Sequence, residues 1–204
     1  MTFNRRNFLG AVVAGFAGLY TPRGFASVKS AHRPVLLPRA MAALNAHASS
    51  VAHRDMIGIV DFAARSHVPR LHLLDIGNGR VLTSLLVAHG RGSDPANSGW
   101  VEHLSNEPGS NASCEGSFVT REAYVGKHGR SRRLGGLDPG NSLAQSRGIV
   151  IHAAPYVDAG MARTQGRIGR SEGCFAVSRR DIALLLDRLG EGRLLFAARH
   201  GALG

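Results

Sequence analysis

Short apolar runs, each closed by a turn signal, constrain this chain to a fold built from small strands. Residues 71–76 are largely apolar and are followed by Gly77-Asn78-Gly79, which predicts a hairpin because such residues tolerate a positive φ. Residues 149–152 form another short run that ends in His152. With 26 glycines and 6 % aromatic residues, the chain favours turns and strands over a helical bundle. We expect a β-rich, mainly antiparallel fold with a few helices.

Apolar residues at helical spacing predict two additional features. Residues 35–67 show this spacing twice, the second time through Ile57, Val60 and Ala64, and predict a helical lead-in that ends before Pro69. Ser178 can cap a later helix over residues 179–189.

The predicted strands are 71–76, 81–88, 118–125, 149–152 and a closing strand at 193–198, and the predicted loops are 91–117, 126–147 and 158–173.

The first 26 residues have the pattern of an export signal. The pair Arg5-Arg6 precedes an uncharged stretch over residues 11–20 and small residues up to Ala26. This pair resembles a twin-arginine signal, and the apolar stretch is shorter than the ~20 residues of a membrane span. We expect export to the periplasm, cleavage after Ala26 and no stable membrane span; the alternative is an N-terminal anchor that is never cleaved.

The charge of the chain points to an anionic partner. The sequence has 25 Lys and Arg against 14 Asp and Glu, and removing residues 1–26 takes away three arginines, which leaves 22 against 14, a net charge of +8. A basic exported protein meets anionic lipids and the carboxylate-rich cell wall; the alternative is that the charge serves only solubility and wall retention. The arginines are scattered and no nucleic-acid motif is present, so no nucleic-acid partner is predicted.

The two cysteines, Cys114 and Cys174, have different predicted roles. An even number permits a disulfide in an oxidising compartment, but a lasting bond would silence a nucleophile, so we interpret Cys114 as a small packing residue. Cys174 follows Gly173 and lies near two arginines, and a nearby His⁺ or Arg lowers the pKa of a thiol. His152 could form a thiolate–imidazolium pair with it and later protonate a leaving amine.

Residue chemistry alone leaves structural alternatives open for this pair. Cys174 could be a small buried hydrophobe, and His152 could be a strand-end histidine satisfied by the backbone. No His/Cys pairs occur at metal-ligand spacing, so neither a metal nor an organic cofactor is predicted. The oligomeric state does not follow from the sequence.

Two segments, 149–157 and 166–174, resemble the signature of the L,D-transpeptidase catalytic domain, and most closely its murein L,D-transpeptidase branch. The family pattern is a histidine, a spacer, and then Ser-x-Gly-Cys, here Ser171 to Cys174. Other segments resemble that branch in the same order, and the similarity covers roughly residues 70–198. They are residues 87–90, 104–106, 109–110, 113, 124–129 and 136–137.

The resemblance implies a fold, a division of the chain and a reaction. Together with the helical spacing over residues 35–67, it divides the chain into a linker and helical lead-in over residues 27–69 and an L,D-transpeptidase-like catalytic domain over residues 70–204. The reaction is peptidoglycan 3→3 cross-linking between stem peptides, through a cysteine acyl-enzyme. The alternatives are an L,D-carboxypeptidase, in which water replaces the acceptor amine, and an inactive basic wall-binding module.

The resemblance also implies roles for individual residues. Cys174 is the nucleophile, His152 the base and acid, Ser171 orients His152 through its carbonyl, and Gly173 and Cys174 donate to the oxyanion. The predicted substrate-binding residues are Arg167, Arg170, Tyr124, His128 and His89. The alternative is a solvated turn charge for each arginine and structural hydrogen bonding in loops for the two histidines. The sequence departs from the family at Ala153, Glu172 and Phe175, and an acid beside the nucleophile raises the pKa of a thiol.

Overall fold

The computed structural model describes residues 33–200 and arranges their eight strands in one mixed sheet. The strands are β1 (Met56–Asp61), β2 (Leu71–Asp75), β3 (Arg80–Leu85), β4 (Gly116–Gly126), β5 (Gly129–Gly136), β6 (Val150–Ala153), β7 (Phe175–Val177) and β8 (Leu194–Ala198). The helices are α1 (Leu37–Ala46), α2 (Ala159–Gln165) and α3 (Ile182–Arg188), with short 3₁₀ turns at Arg91–Ser93 and Pro139–Asn141.

Antiparallel pairing dominates the sheet, whose order is β3-β2-β1-β8-β4-β5-β6-β7. Five of the seven pairings are antiparallel, and the two parallel ones join β1 to β8 and β6 to β7. This confirms the predicted β-rich, mainly antiparallel fold. The predicted hairpin after residue 76 is also present, since β2 and β3 pair from Asp75↔Arg80 around Gly79, whose φ is +63°.

The last strand of the chain lies in the middle of the sheet, between β1 and β4. Leu195 and Ala197 pack into one hydrophobic cluster, whereas Leu194 and Phe196 pack into the other. Because both faces of β8 are covered, all five of its residues are buried. The sequence over this strand therefore reads as a continuous apolar run rather than an alternating one.

These two clusters join α1 and α3 to opposite faces of the sheet. Ala40 and Leu44 of α1 belong to one cluster, and Leu185 and Leu186 of α3 belong to the other. Full burial of one such leucine stabilises the fold by roughly 1.5–3 kcal/mol. Phe175 of β7 packs in the α3 cluster, with its ring centroid 5.4 Å from that of Phe118. The core therefore anchors the residue that directly follows Cys174.

The structure corrects the secondary-structure predictions at β1 and β5. The second helical stretch of the lead-in is wrong, because residues 56–61 form β1; its four central residues are buried, so the contiguous apolar positions imitate helical spacing. The predicted loop over residues 126–147 contains β5, a strand rich in glycine and arginine. It pairs with β4, and the buried Arg132 donates to the carbonyls of Arg121 at 2.6 Å and Leu186 at 3.1 Å.

Helix boundaries differ as well. The predicted loop over residues 158–173 contains α2, which Asp158 caps by accepting from the N–H of Met161 at 2.9 Å. The later helix is shorter than predicted, since only Ile182–Arg188 is α-helical and Ser178 accepts from the N–H of Asp181 in the preceding turn.

The export-signal prediction for residues 1–26 lies outside the described residues, as does the start of the predicted linker. Between residues 33 and 200, no helix has the length and apolar character needed to cross a membrane.

Candidate active site

Two neighbouring parallel strands bring His152 and Cys174 to the same cavity. β6 carries His152, and Cys174 directly precedes β7; the register Ile151↔Phe175 sets Cys174 level with Val150. Both side chains line a cavity of about 830 Å³. The structure therefore brings together the two residues that the sequence predicted as nucleophile and base.

The turn before Cys174 is held by a set of short hydrogen bonds. Ser171 donates its N–H to the carbonyl of His89 at 2.9 Å, and its Oγ donates to the carbonyl of Cys174 at 2.7 Å. The same Oγ accepts from the N–H of Gly173 at 3.2 Å. Ser113 Oγ donates to the carbonyl of Gly173 at 3.0 Å. This set of bonds fixes the backbone that presents the thiol.

Gly173 is required at its position for two reasons. Its φ is +116°, a conformation that side chains with a Cβ rarely adopt. A Cβ there would lie 2.8 Å from the carbonyl oxygen of Ala112 and 2.8 Å from Ile149 Cδ1. Close backbone packing therefore surrounds the nucleophile turn.

Burial favours the neutral form of His152, and one hydrogen bond selects its tautomer. Its Nδ1 lies 2.9 Å from the carbonyl oxygen of Ala153, and because a carbonyl only accepts, Nδ1 carries the proton and Nε2 keeps the lone pair. Burial lowers the pKa of His152, the Ala153 hydrogen bond opposes this, and the charges of His128 and Lys127 add to the lowering.

The Cys174 thiol is also held in its neutral form. Burial raises the pKa of Cys174, the backbone of Val150 lowers it by hydrogen bonding, and the charge of Glu172 raises it further. Lys127 and Arg147 act in the opposite direction as smaller contributions. These directions favour a neutral thiol and a neutral imidazole at rest, in place of the predicted thiolate–imidazolium pair, and the thiol donates to the carbonyl of Gly148 at 3.4 Å.

Ser171 does not contact His152 in the predicted way. The carbonyl of Ser171 accepts from the N–H of Arg91 at 2.8 Å, and the carbonyl that holds His152 belongs to Ala153. The prediction that Ser171 orients the base through its carbonyl is therefore corrected. In this structure Ser171 holds the nucleophile turn instead.

Three of the five predicted substrate-binding residues line the cavity: Tyr124, His128 and Arg170. The guanidinium of Arg170 donates to the backbone carbonyls of Asp94 and Pro95, so part of its hydrogen-bonding capacity is already used. Arg167 and His89 are not among the side chains that line this cavity.

His89 belongs to a buried network instead, which corrects its predicted role. Arg70 Nη2 donates to His89 Nδ1 at 2.7 Å, and His89 Nε2 lies 3.2 Å from Asp94 Oδ2. All three residues are fully buried. Arginine only donates, so His89 accepts at Nδ1 and must be neutral to do so. Burial and the Arg70 charge lower the pKa of His89 to about 4.

The network supports the nucleophile turn through the backbone. His89 carries the carbonyl that accepts from Ser171, and Gly90 forms a parallel β-bridge with Ser171. Asp94 Oδ2 also accepts from the N–H of Gly99 at 2.8 Å. The buried charges therefore tie the loop after β3 to the turn that carries Cys174.

Sequence reasoning missed three side chains that line the cavity: Lys127, Arg147 and Tyr156. Arg147 donates to the carbonyls of Ser105 and Ala112 at 2.6 Å each, and so holds one wall of the cavity. Its only sequence signal is a basic side chain just before the apolar run that ends in His152. Burial raises the pKa of Tyr156 to about 12, and the charge of Cys174 contributes.

The remaining features of the site concern charge and thiol state. Glu172 pairs with Arg91 at 3.2 Å, with both side chains more than half exposed. Cys114 and Cys174 are both free, and Cys114 is buried in the core, as its predicted packing role requires. Among residues 33–200, no group of three His, Cys, Asp or Glu side chains could hold a metal ion.

Comparison with known proteins gives a family match over most of the chain. Residues 29–198 match the family model of the L,D-transpeptidase catalytic domain. No curated protein matches the chain.

Several solved structures are similar to this chain at low identity. An L,D-transpeptidase from Mycobacterium smegmatis is 16 % identical, with 71 % of this chain and 58 % of that chain aligned at a TM-score of 0.43. An L,D-transpeptidase from Mycobacterium tuberculosis is 12 % identical, with 71 % of this chain and 58 % of that chain aligned at a TM-score of 0.45. One from Xylanimonas cellulosilytica is 18 % identical, with 79 % of this chain and 70 % of that chain aligned at a TM-score of 0.40. The chain spans less than two thirds of the two mycobacterial proteins.

Proposed function

The chain belongs to the L,D-transpeptidase catalytic-domain family, and from that premise we propose that it forms 3→3 cross-links between peptidoglycan stem peptides. The observation that carries the proposal is that His152 and Cys174 line the same open cavity. The cavity is wide enough for a peptide and has cationic side chains, Lys127, Arg147 and Arg170, along its walls. Stem peptides carry carboxylates, which such a lining attracts.

Acylation begins from the neutral pair. The scissile bond of the donor stem joins the L-centre of its third residue to its terminal D-alanine. Cys174 Sγ attacks the carbonyl carbon of this bond while His152 Nε2 takes the thiol proton. The oxyanion accepts from the N–H of Cys174, because the N–H of Gly173 already donates to Ser171 Oγ. One such donor contributes on the order of 3 kcal/mol. The imidazolium then protonates the leaving D-alanine amine, which leaves a thioester.

Transfer to the acceptor regenerates the enzyme. The side-chain amine of a diaminopimelate on a second stem attacks the thioester carbon, and His152 Nε2 takes a proton from that amine. The thiolate leaves and recovers the proton from His152. One amide bond replaces the one that was broken, so the cross-link forms without an external energy source.

Two alternatives use the same cavity differently. In an L,D-carboxypeptidase, water attacks the thioester and the product is a shortened stem. In a basic wall-binding module the cavity binds stems without reacting, and the departure at Glu172 favours this reading, since its charge raises the pKa of Cys174. The presence of both His152 and Cys174 at the cavity favours an enzyme.

The test is product analysis with purified protein and tetrapeptide stems, read by mass spectrometry. We expect a cross-linked stem dimer from the wild type and from Cys114→Ala, the matched control at the other cysteine, and no dimer from Cys174→Ala. A shortened stem alone would establish the carboxypeptidase. Binding of stems with no product in any variant would overturn the enzymatic proposal and favour the binding module.

We propose in addition that the protein is exported to the periplasm by the twin-arginine route, with residues 1–26 as its signal. The paired Arg5-Arg6 supports this, together with a family that acts on the cell wall. Substituting both arginines with lysine should retain the protein in the cytoplasm. Unchanged export of that variant would contradict the route.

A further inference from the structure

The imidazole of His128 stacks on the imidazole of His152. The ring centroids are 4.2 Å apart and the ring planes differ by 24°. His128 lies at the tip of the β4–β5 hairpin, where Gly126 pairs with Gly129. The φ of Gly129 is +76°, so the hairpin turns tightly and projects His128 back over the site.

This contact supplies a restraint that hydrogen bonding does not. The bond from His152 Nδ1 to the Ala153 carbonyl fixes one edge of the ring, but one edge contact leaves the ring free to swing about that bond. A flat partner against the face removes this freedom. His128 is itself exposed, whereas only 3 % of His152 is exposed, so the outer ring also covers the inner one.

We propose that His128 is a positioning residue: stacked on the face of His152, it fixes the plane of the base and shields it from water. The reaction it serves is the proposed acyl transfer, so the inference rests on that function for its consequence. Proton transfer from the thiol to Nε2 depends on the ring plane, and a displacement of about 1 Å at a reacting group lowers rates by up to about a hundredfold.

The stack has an electrostatic consequence as well. A positive charge on His128 opposes a second positive charge on His152, which contributes to the lowered pKa of His152. The other titratable side chains that line the same cavity are Tyr124 and Lys127 from the hairpin, Arg147 before β6, Tyr156 after it, and Arg170, Glu172 and Cys174 around the nucleophile turn.

Two substitutions separate the ring from its charge. His128→Phe keeps a flat ring on His152 and removes the charge, whereas His128→Ala removes both. Val125→Ala is the control, because Val125 lies on the same hairpin and is 82 % exposed. Proton–carbon NMR of the imidazoles over pH gives the pKa of His152 and its ring-current shift without any turnover. Stem turnover gives kcat and KM.

We expect the ring-current shift of His152 to persist in His128→Phe and to disappear in His128→Ala. The pKa of His152 should rise in the order wild type, His128→Phe, His128→Ala, because charge and cover are lost in turn. For stems, kcat should fall about tenfold to a hundredfold in His128→Ala with KM unchanged, and stay within roughly threefold in His128→Phe. Val125→Ala should match the wild type in every readout.

Other results would overturn the inference. Equal loss of kcat in both His128 variants would show that the ring stack does not position the base. A raised KM with unchanged kcat would instead assign His128 to substrate binding, as the sequence predicted. If the wild type turns over no stems, the proposed function fails, and the NMR readouts still decide whether the stack orders His152.

Discussion

His89→Gln tests the reasoning behind the buried network most sharply. Glutamine can accept from Arg70 and donate to Asp94 through its amide, so it reproduces the neutral hydrogen-bond pattern of His89 without titrating. Any difference between the two proteins in the pH dependence of stability therefore reports the histidine itself. The wild type should lose more stability than the variant as the solution is acidified.

The sign and size follow from the pKa of His89, which falls from 6.5 to about 4 on folding. Below pH 6.5 His89 is protonated in the unfolded chain, whereas in the folded chain it stays neutral until the pH falls to about 4. Stability is therefore lost as the pH falls through this window, and the loss levels off below it. A difference of about 2.5 pH units corresponds to about 3 kcal/mol.

Urea unfolding followed by circular dichroism at pH 7, 5.5 and 4 measures this quantity. Hydrogen bonds lower the pKa of Asp94 and outweigh the effect of its burial. Protonation of Asp94 at low pH therefore lowers the free energy of unfolding of both proteins. We expect the wild type to lose about 3 kcal/mol more than His89→Gln between pH 7 and 4. Parallel losses would refute a neutral, buried His89 between Arg70 and Asp94.

Three further predictions address the nucleophile turn and its support. Gly173→Ala should lower the free energy of unfolding by on the order of 3 kcal/mol, because it strains φ and clashes with the backbone. Gly166→Ala is the control: its φ is +64° and nothing lies within 4 Å of the added Cβ, so it should lower that free energy by about 1 kcal/mol. Urea unfolding midpoints compare the two variants. Arg70→Met should cost about 3–5 kcal/mol, because it leaves buried acceptors unpaired, and a thermal midpoint equal to that of the wild type would contradict this. Alkylation of Cys174 by iodoacetamide should rise with pH through a midpoint above the ordinary ~8.5 of a thiol, and Glu172→Gln should move that midpoint to lower pH.

Local patterns predicted the parts of the fold that local chemistry determines. The hairpin at residues 77–79 follows from turn residues, and the run over 149–152 from branched side chains. β1 was mistaken for a helix because it is buried on both faces: Val60 packs in the α3 cluster, and Ile57 and Ile59 pack in the α1 cluster. β5 was not predicted because its glycines and arginines form a strand only when paired with β4.

The predictions for the candidate site likewise succeeded where neighbouring residues carry the signal and failed where contacts are formed with distant residues. Cys174 and His152 were predicted from their neighbours and from the family resemblance, and the parallel pairing of β6 with β7 brings them together. His89 was assigned to substrate binding because its partner Arg70 lies 19 positions away, so the buried pair is not visible as a local pattern. Arg147 was missed because it binds carbonyls 35 and 42 positions away.

Covalent trapping on the thiol tests the central claim most directly. Purified protein is mixed with tetrapeptide stem, quenched in acid, and digested, and the peptide that carries the added acyl mass is identified by mass spectrometry. We predict that the mass lies on the peptide containing Cys174, that Cys174→Ala shows none, and that His152→Gln acquires it far more slowly. An acyl group on any other residue, or equal rates with and without His152, would contradict the account.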